Sequence, residues 1–140
     1  MPYWRVYYHL VWSTYRRLPL IDDDVADLIE RSIKSTCHDL KILVHAFGTM
    51  PDHVHLAVSI PPTLAVATAV GRMKGAASHL VNQRSSDGGS FAWQTEYGLV
   101  SFGERNLPVV IAYITEQPTR HARNQLWSSM EPTVDRKQPA

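Results

Sequence analysis

Two histidines stand two residues apart in His53-Val54-His55. Side chains alternate between the faces of a strand, so in extended backbone both imidazoles project from the same side. Val54, Leu56 and Val58 then turn to the other side, toward a core. Two imidazoles side by side on an exposed sheet face can grip one divalent cation. Zn, Mn and Ni suit imidazole, whereas Mg also needs carboxylate, amide or water partners. The same spacing also describes two polar residues on the solvent face of a strand. A histidine-triad hydrolase is a poor match, because Ala57 stands where the alternation would bring another histidine.

A second constellation is Tyr113-Ile114-Thr115-Glu116-Gln117. Tyr113 and Gln117 are four apart, hence one turn apart on one face of a helix. Tyrosine can act as a covalent nucleophile on phosphorus. A phosphotyrosine conserves the energy of the phosphodiester it replaces, so strand joining needs no ATP. The Gln117 amide oxygen could add a ligand to a metal held by two histidines. A tyrosine on an amphipathic helix is also a common boundary residue with its hydroxyl in water. The chain has 6 tyrosines, and spacing alone does not choose among them.

The elements that must position these groups are legible from pattern. Tyr3 to Thr14 is rich in Tyr, Val and Trp and reads as a strand. Asp22 to Asp24 suit the first turn of a helix, where acids offset its dipole. Val25, Leu28, Ile29, Ile33 and Thr36 then recur at helical spacing, predicting a helix over 23–40. Residues 41–50 and 53–60 read as two strands joined by the Pro51-Asp52 turn. Pro61-Pro62 stops the second strand, and 63–82 reads as an Ala-rich helix. The loop SSDGGS follows at 85–90, and 91–102 contains a strand. Asn106 can cap a last helix with Pro108 in its first turn, where Val109, Val110 and Ile114 face the core. Pro118 disfavours helical geometry at Gln117, so that helix ends there or kinks, which would let it hinge against the sheet. The order is strand, helix, strand, strand, helix, strand, helix. It predicts an α+β, ferredoxin-like split β-α-β fold: an antiparallel sheet with helices on one face, plus a C-terminal helix carrying Tyr113. One domain over 1–130 is expected, with a disordered polar tail at 131–140.

Composition narrows the class. A chain of 140 residues can bury a core without a structural metal or disulfides. Its single cysteine permits no internal disulfide, which fits a cytoplasmic location. No apolar run approaches the roughly 20 residues that span a bilayer, so no membrane partner is expected. The opening MPYWRVYYHLVW does not read as a signal peptide. A formal net charge of +1 neither requires nor excludes nucleic acid. The basic residues fall in small groups: Arg16-Arg17, Arg72 with Lys74, and Arg120 with Arg123.

Four stretches in order, FGTMPDHVHLAVSIPP, VGRMKGAASHLVN, WQTEYGLVSFG and VVIAYITEQPTRH, resemble the small transposases of the insertion-sequence 200/605 type. These are single-tyrosine members of the HUH endonuclease superfamily. The start, YYHLVWSTYRRLPLI, extends the resemblance over nearly the whole chain to about Gln125. It implies that His53 and His55 are the metal-binding pair, Tyr113 the nucleophile and Gln117 the third ligand. It further implies a divalent cofactor, Mg2+ or Mn2+, and a homodimer in which the tyrosine helix of one subunit can complete the site of the other. The implied substrate is single-stranded DNA with hairpin ends, cut and rejoined through a 5′-phosphotyrosine and a free 3′-hydroxyl. In cells such a protein is expected on the prokaryotic nucleoid when bound to DNA. Arg72, Lys74, Arg120, His121 and Arg123 are candidate phosphate contacts. Trp4, Trp12 and Trp93 are candidate base-stacking platforms or core residues.

Two other readings stay open at this level. One is a domesticated repeat- or hairpin-binding relative that no longer transposes, which hairpin-forming DNA flanking the gene would argue against. The other is a ferredoxin-like metal or small-molecule binding module, which would show no preference for single-stranded DNA.

Overall fold

The computed structural model describes residues 4–85 and 89–116. Its elements are β1 (Tyr7–Ser13), α1 (Asp23–Asp39), β2 (Leu43–Met50), β3 (His53–Ser59), α2 (Val66–Gln83), β4 (Gly98–Phe102) and α3 (Leu107–Thr115). The strands form one sheet in the order β2-β3-β1-β4, every pair antiparallel. β3 is inserted between β1 and β2, which makes the split β-α-β, ferredoxin-like arrangement.

Local chemistry accounts for the boundaries. The Asp22 carboxylate accepts a hydrogen bond from the Val25 N–H at 2.9 Å and caps α1. The end of α1 is closed by Lys41, whose φ of 62° is left-handed. The Lys41 N–H then reaches His38 O at 3.2 Å and the Ile42 N–H reaches Cys37 O at 2.8 Å, satisfying the last carbonyls. The two-residue turn Pro51-Asp52 lets Met50 pair with His53 across the hairpin. α2 starts at Val66, three residues later than its composition suggests. Pro61 and Pro62 hold the chain in a turn there, with the Leu64 N–H bonded to Pro61 O.

The sheet is covered on both faces. Leu10 and Trp12 of β1 and Val54, Leu56 and Val58 of β3 form one face. They pack with Ile29 and Ile33 of α1 and with Val70, Met73 and Ala77 of α2. Burying each of the larger of these side chains stabilises by about 1.5–3 kcal/mol, so this layer supplies most of the fold's stability. On the opposite face Val110, Tyr113 and Ile114 of α3 pack on Ala46 and Ala57.

That second layer corrects two expectations. The face carrying His53 and His55 is not exposed: β3 is buried at every position, because α3 lies across it. Val109 does not face the core and is 52% exposed. Val110, Tyr113 and Ile114, spaced i, i+3 and i+4, meet the sheet together, with Ile111 packed at their edge. Asn106 precedes α3 but makes no side-chain cap; a short turn at Glu104–Asn106 leads into the helix instead. The tail at 131–140 lies outside the described residues.

Candidate active site

β3 begins at His53, directly after the turn, and its alternation puts His53 and His55 on the α3 side of the sheet. Their ring centroids are 4.9 Å apart. Across the register Ser13 faces His53, Val11 faces His55 and His9 faces Ala57, so β1 brings His9 onto the same face. α3 then lowers Tyr113 onto this group. The Tyr113 ring stands edge-on to His55 at 5.5 Å and to His9 at 5.9 Å. His9, His53, His55 and Tyr113 are all 2% exposed or less, so the cluster is closed from solvent.

Each of the paired histidines is held through Nδ1. His53 Nδ1–H donates to Asp52 Oδ1 at 2.7 Å. Asp52 Oδ2 in turn accepts from Arg17, 3.1 Å from Nε and 3.0 Å from Nη2. Burial pushes the Asp52 carboxyl up, but the hydrogen bond and charge of His53 together with Arg17 outweigh it and hold the group below the usual carboxylate range. Arg17 reaches Asp52 from a tight turn at Tyr15–Arg17, in which Arg16 and Arg17 have φ of 55° and 56°. That turn is tied to the hairpin by the Thr14 N–H, which donates to Asp52 O at 2.9 Å. His55 Nδ1 lies 2.9 Å from His9 Nε2, so one ring donates and the other accepts. Burial pushes the His9 imidazole down to about 4, which keeps it uncharged at neutral pH.

With both Nδ1 atoms engaged, Nε2 is the nitrogen each ring would present to a metal. Metal-bound histidines characteristically donate their other N–H to a carboxylate, carbonyl or similar acceptor, and His53 has that support from Asp52. The donor set therefore fits a divalent ion completed by oxygen ligands. Among the described residues no group of three or more His, Cys, Asp or Glu is arranged to hold one. The expected third ligand, Gln117, lies outside the described residues. α3 ends at Thr115, where the Glu116 N–H bonds back to Ala112 O.

The expected phosphate contacts separate. Arg72 is exposed on α2, in the layer on the other side of the sheet. Lys74 is half-buried, and its Nζ donates to Gln94 O at 2.6 Å and Glu96 O at 3.5 Å. Its charge is thus committed to a loop that also bonds the end of β1 through the Gln94 N–H and Ser13 O. Arg120, His121 and Arg123 lie outside the described residues, as does Pro118. Trp12 is fully buried in the core, and Trp93, partly buried, meets it edge-on at 5.9 Å and packs against that core. His9, Asp52 and Arg17 were not singled out by sequence. Asp52 adjoins His53 but also reads as turn chemistry, and His9 joins the site only through strand register.

Several known proteins resemble this chain. The ISDra2 transposase TnpA of Deinococcus radiodurans is 26% identical over 115 residues, covering 79% of this chain and 82% of that protein. A crystal structure of a candidate transposase from Deinococcus radiodurans R1 has a TM-score of 0.65 at 24% identity, covering 83% of this chain and 93% of the other. A REP-associated tyrosine transposase bound to a REP hairpin has a TM-score of 0.64 at 17% identity, covering 84% and 68% respectively. These two structures share the fold. The family profile described as "Transposase IS200 like" matches residues 2–117, most of the chain and all of the cluster around Tyr113. The chain therefore belongs to the IS200-like transposase family.

Proposed function

We propose that this protein cleaves and rejoins single-stranded DNA at hairpin-containing transposon ends through a 5′-phosphotyrosine on Tyr113. The observation that carries the reading is the packing of the Tyr113 ring against His55, with His53 alongside, in a chain of this family. A nucleophile and two candidate metal ligands come from distant parts of the sequence and meet in one buried cluster.

In this reading Tyr113 Oη attacks the scissile phosphorus in line. The Oη–P bond forms and the P–O3′ bond breaks. The phenol loses its proton and the departing 3′-oxygen gains one. One phosphodiester replaces another, so a 3′-hydroxyl can reverse the step. His53, His55 and Gln117 would hold Mg2+ or Mn2+, whose contribution when bound is Lewis-acid stabilisation of charge on the phosphate oxygens. Asp52 and Arg17 fix the His53 ring. Because Tyr113 and His55 are buried, α3 has to lift from β2 and β3 before a phosphate can lie between them.

A homodimer follows from family resemblance and belongs to the same proposal. The solved relative bound to a REP hairpin makes a hairpin-bearing oligonucleotide the first substrate to try. The presence of the tyrosine and both histidines in one cluster favours active chemistry over a domesticated hairpin-binding role. Labelled single-stranded DNA carrying candidate ends should yield a covalent adduct with Mg2+ or Mn2+ and none with a chelator, while duplex DNA yields little. An adduct indifferent to the chelator contradicts the metal assignment.

A further inference from the structure

We infer that His9 is a positioning residue: its Nε2 accepts the His55 Nδ1–H and so fixes the His55 tautomer that turns Nε2 toward a metal. The inference rests on the metal-site reading proposed above and assigns to it a residue outside the His-x-His pair.

Three observations support it. First, His9 and His55 lie on neighbouring strands and on one face, with ring centroids 5.1 Å apart and the two nitrogens at 2.9 Å. Backbone register therefore sets the contact. Second, His9 occupies an interior strand position at 2% exposure, yet its Nδ1 has no hydrogen-bond partner among the described residues. An apolar side chain would serve packing there without burying an unsatisfied nitrogen. A buried imidazole at that place is better explained by its other nitrogen, the one on His55. Third, His53 is held in the equivalent way by Asp52 Oδ1. Both rings of the pair thus have a hydrogen-bonding partner on Nδ1, a carboxylate for His53 and an imidazole for His55. The charge of Asp52 is balanced by Arg17, at the outer end of the pair. His9 sits beside Tyr113, where a phosphodiester and a developing tyrosinate would both be negative. An uncharged acceptor orients His55 there without adding a repelling carboxylate.

Two measurements test this. Long-range 15N correlation spectra of the metal-free native chain should show His55 protonated at Nδ1. An Nε2-protonated His55 makes His9 the donor and overturns the inference, whatever the variants do. Titration with Mn2+ alone supplies the second test. His9→Leu should weaken Mn2+ binding by about 10- to 100-fold, the usual effect of losing a partner behind a ligand. His9→Gln places an amide oxygen where Nε2 lies and should retain most of the affinity. Native binding of Mn2+ with an unaffected His9→Leu overturns the inference alone. Failure of the native chain to bind Mn2+ contradicts the metal-site reading itself and takes the inference with it. Should His9→Leu fail to fold, the native-chain spectrum still decides.

Discussion

His9 lies in the buried cluster around Tyr113, where the pairing of β1 with β3 brings it beside His55. Its burial has a consequence that can be measured. The imidazole is pushed down from 6.5 to about 4 in the fold. Below 6.5 the unfolded chain therefore binds a proton that the folded chain refuses. The stability tied to an uncharged His9 is complete above 6.5 and is lost as pH falls toward 4. The slope is at most about 1.4 kcal/mol per pH unit for one group. Denaturant unfolding of the metal-free protein should show this loss, and His9→Gln should flatten it over that window. Parallel pH profiles for the two proteins would contradict the burial argument. His53 and His55 share a face by the alternation of any strand, so their juxtaposition is legible from spacing. Tyr113 cannot be picked from 6 tyrosines by spacing, and resemblance selects it. His9 is legible from neither, because only its pairing with Ala57 brings it beside His55.

At the scale of elements, α3 is attached differently from the rest. α1 and α2 share a large apolar layer with β1 and β3, whereas α3 rests on a small cluster of Val110, Tyr113 and Ile114 over Ala46 and Ala57. Local opening draws on the contacts an element makes, so α3 should open at lower free energy than the sheet. In native-state hydrogen exchange the amides of 111–115 should exchange well before those of β1 and β3. Equal protection would contradict a helix that lifts to admit DNA. The order and approximate ends of the elements were legible because caps, prolines and periodicity are local. The Pro51-Asp52 hairpin and the acidic start of α1 are examples, whereas the cap expected of Asn106 does not form. The face on which α3 docks was not legible, because periodicity names a helix's apolar stripe and not its partner. The expectation for Val109 failed for the same reason: in a helix apolar nearly all round, the sheet it meets decides which side is buried.

At the scale of the molecule, the sheet separates two tasks. One face is an apolar core of helices packed on the sheet, and the other holds the buried histidines and the tyrosine. Net charge said little about partners, and the individual cations explain why. Lys74 is committed to the 94–96 loop and Arg17 to Asp52, and a net charge of +1 does not distinguish such engaged cations from those that can meet a phosphate backbone. Among the described residues no helix is long and apolar enough to cross a membrane. The family match spans both faces, which joins the fold and the cluster in one protein class. The central claim is that Tyr113 becomes covalently attached to DNA. Its most direct measurement compares native protein with Tyr113→Phe on a labelled single-stranded oligonucleotide carrying hairpin ends, in the presence of Mn2+ or Mg2+. The native chain should form an adduct that survives denaturation, and digestion should place the nucleotide on the peptide containing Tyr113. Tyr113→Phe should bind the hairpin as well as the native chain does and form no adduct. A covalent adduct that persists in Tyr113→Phe would contradict the account.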